Sequence, residues 1–154
     1  MQFSAHTDPV GQPRPRATTR GGFTRLYDPG TADKFKMALQ VAAMPHRPAE
    51  PLCGPLRLDV SFVLARPRSH YGTGKNAKRV KPSSPLQHSQ KPDIDNLVKA
   101  TMDALTDFDL WGDDCQVVEV IARKGWGDKG RCDVVITSLP ENPAARSTGA
   151  AGVE

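Results

Sequence analysis

The residues best suited to chemistry lie in two short acidic stretches. The first opens Lys91-Pro92-Asp93-Ile94-Asp95-Asn96-Leu97-Val98-Lys99, and the second is Trp111-Gly112-Asp113-Asp114-Cys115-Gln116. On extended backbone, Asp93 and Asp95 would point to the same side and could grip a hard cation between their oxygens. If both were helical they would diverge by about 200° and could not share a ligand. A lone D-x-D is more often a pair of acids satisfying the free amides and the dipole at a helix start. Three features weigh against that here. Asp113 and Asp114 follow after one helix and a loop. Asp107 and Asp109 sit near a helix C-terminus, where the dipole disfavours acids. Lys99, four residues beyond Asp95, can reach the same pocket. Hydrolysis of a phosphodiester with a divalent cation needs carboxylates for the metal, an activated water and positive charge on the developing phosphorane. Asp93, Asp95, Asp114 and Lys99 form such a set, and Mg²⁺, which keeps several waters, needs no complete protein cage. This reading expects residues 93–95 to be extended, with the helix starting just after.

These residues need a scaffold. A helix after Pro92 places Ile94, Leu97, Val98, Thr101 and Leu105 on one face. Residues 106–114 form an acidic loop. The clearest strand is 56–65, where Leu56, Leu58, Val60, Phe62 and Leu64 alternate with smaller or polar neighbours at period two. Further strands are expected at about 115–124 and 131–138, joined as a hairpin by the tight run Gly125–Gly130. Thr31 can cap a helix that carries Phe35, Ala38, Leu39 and Ala42 and stops at Pro45. Residues 2–6 suit a short strand. Residues 9–30, rich in proline and glycine and carrying Arg14, Arg16, Arg20 and Arg25, read as a loop or a nucleic-acid-facing arm. The expectation is an α/β fold, a small mixed sheet packed with two main helices, in one domain over 1–139, with a disordered tail at 140–154.

Charge is unevenly spread. Residues 66–91 hold Arg66, Arg68, Lys75, Lys78, Arg79, Lys81 and Lys91 and no acid, which exceeds the whole chain's net charge of +4. The rest of the chain is therefore net acidic. Such a flexible basic loop suits phosphate contacts, which gain affinity by releasing counterions. A solvated linker is the bland alternative.

Composition excludes several classes. The 154-residue chain has room for one ordinary domain. Its three cysteines form no CxxC pair and its four histidines are scattered, which argues against a disulfide framework or a zinc site. No apolar run approaches the roughly 20 residues of a membrane span, and no secretion signal is recognisable. The expectation is a cytoplasmic protein with no membrane partner.

Taken together, K-P-D-I-D-N-L-V-K-A-T-M-D-A-L and W-G-D-D-C-Q-V-V resemble the signature of the RusA-type Holliday junction resolvases, over residues 91–118 without a gap. The resemblance implies a RusA-like α/β homodimer that resolves four-way DNA junctions by paired symmetrical nicks in recombination and repair. It implies Mg²⁺ as cofactor, with Mn²⁺ able to substitute, and branched DNA as partner. Asp93, Asp95 and Asp114 would then be the metal-holding catalytic acids and Lys99 the functional lysine. Asn96, Asp113 and Gln116 would support them. Arg14, Arg16 and the cations of 66–91 are candidates for backbone contacts. A flap nuclease of the same chemistry and a catalytically silent junction-binding protein remain as alternatives. The family also makes a phage or prophage origin plausible.

Overall fold

The computed structural model describes residues 1–13, 16–20, 23–27 and 30–141. Arg14 and most of the expected tail, residues 142–154, lie outside the described residues. The elements run β1 (Gln2–Ala5), β2 (Arg16–Arg20), β3 (Phe23–Tyr27), α1 (Asp33–Ala43), β4 (Leu56–Ala65), α2 (Ile94–Asp107), β5 (Val117–Gly127) and β6 (Arg131–Ser138). Four strands form a mixed sheet in the order β1-β6-β4-β5, and β2 and β3 form a separate two-stranded ribbon.

The period-two pattern of 56–65 becomes the central strand. Leu56, Leu58, Val60, Phe62 and Leu64 are all buried, and so are Cys132, Val134 and Ile136 of β6 and Phe3 and Ala5 of β1. Against this face lie Phe35, Leu39 and Ala43 of α1 and Leu97, Ala100, Thr101, Ala104 and Leu105 of α2. The two helices meet through Gln40 Nε2, which donates to the Ala104 carbonyl (3.1 Å), and the Lys36–Asp103 ion pair (3.7 Å). The other face of the sheet is polar, with Arg123 paired to Asp59 at 3.0 Å and Arg57 to Glu119 at 3.7 Å.

The expected hairpin between 115–124 and 131–138 is corrected. β4 lies between the two strands, parallel to β5 and antiparallel to β6. Parallel neighbours need a crossover, and α2 supplies it, so β4, α2 and β5 form a βαβ unit. Alternating hydrophobicity marks a strand without naming its neighbour, and the short connection after β5 suggested the nearest one. β5 also starts later and ends later than expected, because Asp114–Gln116 is a single 3-10 turn. Thr31 is not the α1 cap; that position falls to Ala32, which makes no side-chain capping bond. Part of the expected 9–30 loop is the β2–β3 ribbon.

Residues 66–91 contain only two short 3-10 turns, Arg68–His70 and Gly74–Asn76. The segment is nevertheless tied down, unlike the freely flexible loop its composition suggested. Arg66 N–H donates to Gly127 O (2.8 Å), Lys81 N–H to His70 O (2.8 Å) and Gly72 N–H to Arg79 O (2.9 Å). Its hub is Trp126 near the end of β5. The Trp126 ring packs on His88 (4.2 Å between centroids) and edge-on to His70 (5.2 Å), with the Arg66 guanidinium 5.5 Å from it. Backbone carbonyls without regular partners must find donors elsewhere, and the segment finds them on β5.

Candidate active site

α2 begins where the basic segment ends. Asp93 is at its N-cap on extended backbone (φ −71°, ψ 143°), and Ile94 and Asp95 are already helical. The expected extended stretch 93–95 is thus confined to Asp93. A capping aspartate would accept a bond from an amide of the first turn, but Asp93 makes no side-chain capping bond. Asp93 and Asp95 are both exposed, and among the described residues no ion pair engages either one. Their position at the helix N-terminus, where amides lack intrahelical partners, favours carboxylates.

The approach to these acids is fixed from β5. Lys124 Nζ donates to the carbonyls of Gln90 (2.7 Å) and Pro92 (2.9 Å), and Trp126 Nε1 donates to that of Gln87 (3.2 Å). Lys124 and Trp126 are two residues apart, hence on one face of the strand. Sequence reading missed both. Their signal would have been a lysine alternating with apolar residues on the helix-facing side of a strand. On the other flank, Gln12 N–H donates to Asn96 O at 2.9 Å, and a Cβ on Gly11 would lie only 2.9 Å from Asn96 Cβ. Asn96 is therefore the seat on which the N-terminal segment crosses α2. Val10, Gly11, Gln12, Lys91, Pro92, Asp93 and Asn96 line a groove of about 590 Å³.

The second acidic stretch lies at the other end of α2. Thr106 Oγ1 donates to Asp114 Oδ1, and the buried Trp111 indole donates to Thr106 Oγ1 (2.7 Å) and to Asp114 Oδ1 (3.3 Å). Asp113 caps the 3-10 turn through Cys115 N–H (2.8 Å), a bond that holds its carboxyl below the usual range, while a hydrogen bond between the Cys115 side chain and Asp113 pushes the thiol up. Gln116 Oε1 accepts from the amides of Gly112 (2.8 Å) and Asp113 (3.1 Å), while its Nε2 donates to Leu52 O (2.9 Å) and Gly54 O (3.2 Å). Asp113 and Gln116 thus build the loop that presents Asp114.

From Asp95 to Thr106 the helix advances about 16 Å at 1.5 Å per residue. The three carboxylates expected to share one cation are therefore not brought together within one chain. Consistently, among the described residues no group of three His, Cys, Asp or Glu side chains could hold a metal ion. Within one chain the acidic loop does not return to the helix start, because β5 begins beside Leu56, at the opposite end of the strands from the start of α2. Lys99 also turns away from Asp95. Its Nζ lies 3.4 Å from Asp103 Oδ1, one turn further along α2, and the side chain is largely exposed.

Asp93 and Asp95 open α2 beside the carboxyl ends of the parallel strands β4 and β5, the region where open α/β sheets generally bind ligands. The endodeoxyribonuclease RusA family model matches residues 6–137. The chain belongs to that family. It is 33% identical to the Bacillus subtilis (strain 168) protein YqaN over 139 residues, covering 90% of this chain and 96% of that protein. It is 25% identical to a crossover junction endodeoxyribonuclease of Lactococcus phage r1t over 144 residues, covering 90% and 97% respectively. No helix among the described residues is long and apolar enough to cross a membrane.

Proposed function

We propose that this chain is a structure-specific DNA endonuclease that resolves Holliday junctions by paired symmetrical nicks in recombination and repair. It would use a divalent cation, Mg²⁺ with Mn²⁺ able to substitute, and act as a homodimer. The observation that carries this reading is the state of Asp93 and Asp95. Two exposed acids open a helix and, among the described residues, make neither a capping bond nor an ion pair, and Asp93 borders a groove rimmed by Lys91. The backbone leading into them is held by Lys124 at Gln90 and Pro92, so their approach is fixed without an ion pair to either acid among the described residues. The phage relative is a crossover junction endodeoxyribonuclease, which supports the same reading.

One chain does not supply the full donor set. Asp93 and Asp95 would hold the cation, and the cation would polarise a phosphate oxygen and activate a water. Asp114 is too far along α2 to join them in the same copy. In a two-fold dimer a patch at one end of α2 can meet the other end in the second copy, so the homodimer reading assigns Asp114 to the partner's site. Two-fold symmetry also matches a four-way junction cut on opposing strands. Contacts to DNA fall to the cations of the basic segment, of which Arg68 and Lys78 border a groove of about 460 Å³ with Arg66 and Tyr71.

The test is cleavage of four-way, flap and linear duplex DNA with Mg²⁺ by the wild type and Asp95→Asn. Paired symmetrical nicks confined to the four-way substrate, lost in Asp95→Asn with binding retained, are expected. Preferential flap cutting would replace the resolvase reading. Cleavage unchanged by the substitution would overturn the site.

A further inference from the structure

The parallel strands β4 and β5 end side by side, with Leu64 paired to Trp126. At these carboxyl ends lies a cavity of about 390 Å³, walled by Leu64, Trp126 and His88 and rimmed by Asp8, Gln90 and Lys91. Lys91 also borders the groove next to Asp93. Cavity and acid are thus two residues of chain apart, at most about 7 Å. The cavity is fixed in shape by its neighbours. His88 is 6% exposed and packs on the Trp126 ring at 4.2 Å. Trp126 Nε1 holds the Gln87 carbonyl and Lys124 Nζ that of Gln90. The Asp8 carboxylate lies against Gly130, where a Cβ would collide with it. Walls and rim are therefore anchored to β5 and to the turn that follows it.

We propose that this cavity takes one nucleobase displaced from the stack at the branch point, while the phosphate beside it lies in the groove of Asp93. The inference rests on the nuclease reading and adds the place where a base of the substrate is held. Three arguments carry it. The volume lies near the lower end of the about 300–1,000 Å³ of small-molecule sites, which suits a single planar ring system and excludes a duplex. The lining matches that ring. Leu64 and Trp126 offer apolar wall, and the rim offers an acceptor-only carboxylate, an amide that donates and accepts, and an ammonium, a set that suits the N–H and carbonyl edge of a base. Asp8 would repel a phosphate placed inside, so the occupant is not an anion. Position supplies the third argument. Taking a base out of the stack costs least where it is already unpaired, and a branch point provides that where continuous duplex does not. A base seated here also holds the neighbouring phosphate within reach of the acids, as positioning for hydrolysis requires.

The experiment is affinity for four-way DNA without divalent cation, with single abasic sites stepped along the strand that is nicked. The wild type is expected to lose roughly tenfold at one position, in the range for losing one protein-bound base. That position should lie within about two nucleotides of the nick, given the spacing of bases along a strand. Ala65→Trp, which places an indole in the cavity lining, should bind intact and abasic junctions alike. Asp8→Ala/Gln90→Ala leaves the apolar wall in place and should shrink the penalty to roughly threefold, as loss of the rim hydrogen bonds would. This variant keeps the test open if Ala65→Trp does not fold, and the ratio of intact to abasic affinity cancels any change in overall charge. A penalty unchanged in both variants, or equal on linear duplex carrying the same abasic site, would overturn the proposal. A wild type that cuts the junction but shows no abasic penalty would overturn the cavity's role alone. A wild type that neither binds nor cuts branched DNA would instead overturn the nuclease reading beneath it.

Discussion

The two ends of α2 carry the same residue type in opposite circumstances. At the N-terminal end, Asp93 and Asp95 are exposed with no side-chain partner among the described residues, and backbone bonds from Lys124 and the Gln12–Asn96 contact flank them. At the C-terminal end, Asp113 and Asp114 are bound into a local network with Cys115 N–H, Thr106 and Trp111. One end is held so that its carboxylates stay available; the other uses its carboxylates to hold itself. Motif spacing treats the four acids alike, and only the hydrogen bonds separate them.

The comparison breaks most visibly under substitution of the acids themselves. Asp95→Asn should lower junction cleavage at least about a hundredfold, the size of losing one group that handles charge in the transition state, with the thermal midpoint unchanged. Asp114→Ala should abolish cleavage and also destabilise the fold by about 1 kcal/mol, because the buried Trp111 indole loses an acceptor. Mixing the two variants sharpens the point. If Asp114 serves the partner's site, a mixed dimer contains one intact site and regains single-strand nicking; if each chain is self-sufficient, the mixture stays dead.

Gln116→Ala comes next. It removes two accepted and two donated bonds at the loop that presents Asp114, and should cost about 1–3 kcal/mol in denaturant melts. Cleavage should fall with it, while junction affinity holds. Lys99→Ala ranks lower. Because Lys99 pairs with Asp103 in an exposed i,i+4 contact, its stability effect should be a few tenths of a kcal/mol. A loss of cleavage well beyond that would show that the lysine leaves Asp103 when DNA is bound.

The smallest expected effect is a pH dependence. Burial against Trp126 lowers the His88 pKa from its ordinary value; a bond to its own backbone opposes this and the Lys124 charge adds to it. A histidine with a depressed folded pKa is protonated first in the unfolded chain, so the unfolded state binds more protons in that window. Stability should therefore be intact above about pH 6.5 and decline as pH falls below it towards the depressed value. His88→Phe should flatten that decline in thermal melts between pH 5 and pH 7.

Much of the frame was legible in the sequence because it rests on periodicity. The alternation of 56–65 required a strand buried on one face, and Leu97, Thr101 and Leu105 required a helix against it. Strand partners were not legible: Val118 and Val120 read as hairpin residues yet stay exposed on β5, which pairs along one edge with β4. The candidate acids were legible by type and spacing, and their family matched. Their grouping was not, since it depends on which end of the strands each loop reaches. Lys124 escaped notice because its partners are carbonyls, which every residue has and no sequence pattern marks.

Burial of Trp111 on Asp114 has an optical consequence. The chain contains only two tryptophans, one bonded to the acidic network at the end of α2 and the other at the hub of the basic segment. Ultraviolet emission from the unlabelled protein thus samples both halves of the proposed reaction centre. Emission from Trp111→Phe reports what settles on the basic segment, and emission from Trp126→Phe reports whether the Asp114 carboxylate is drawn towards a second copy.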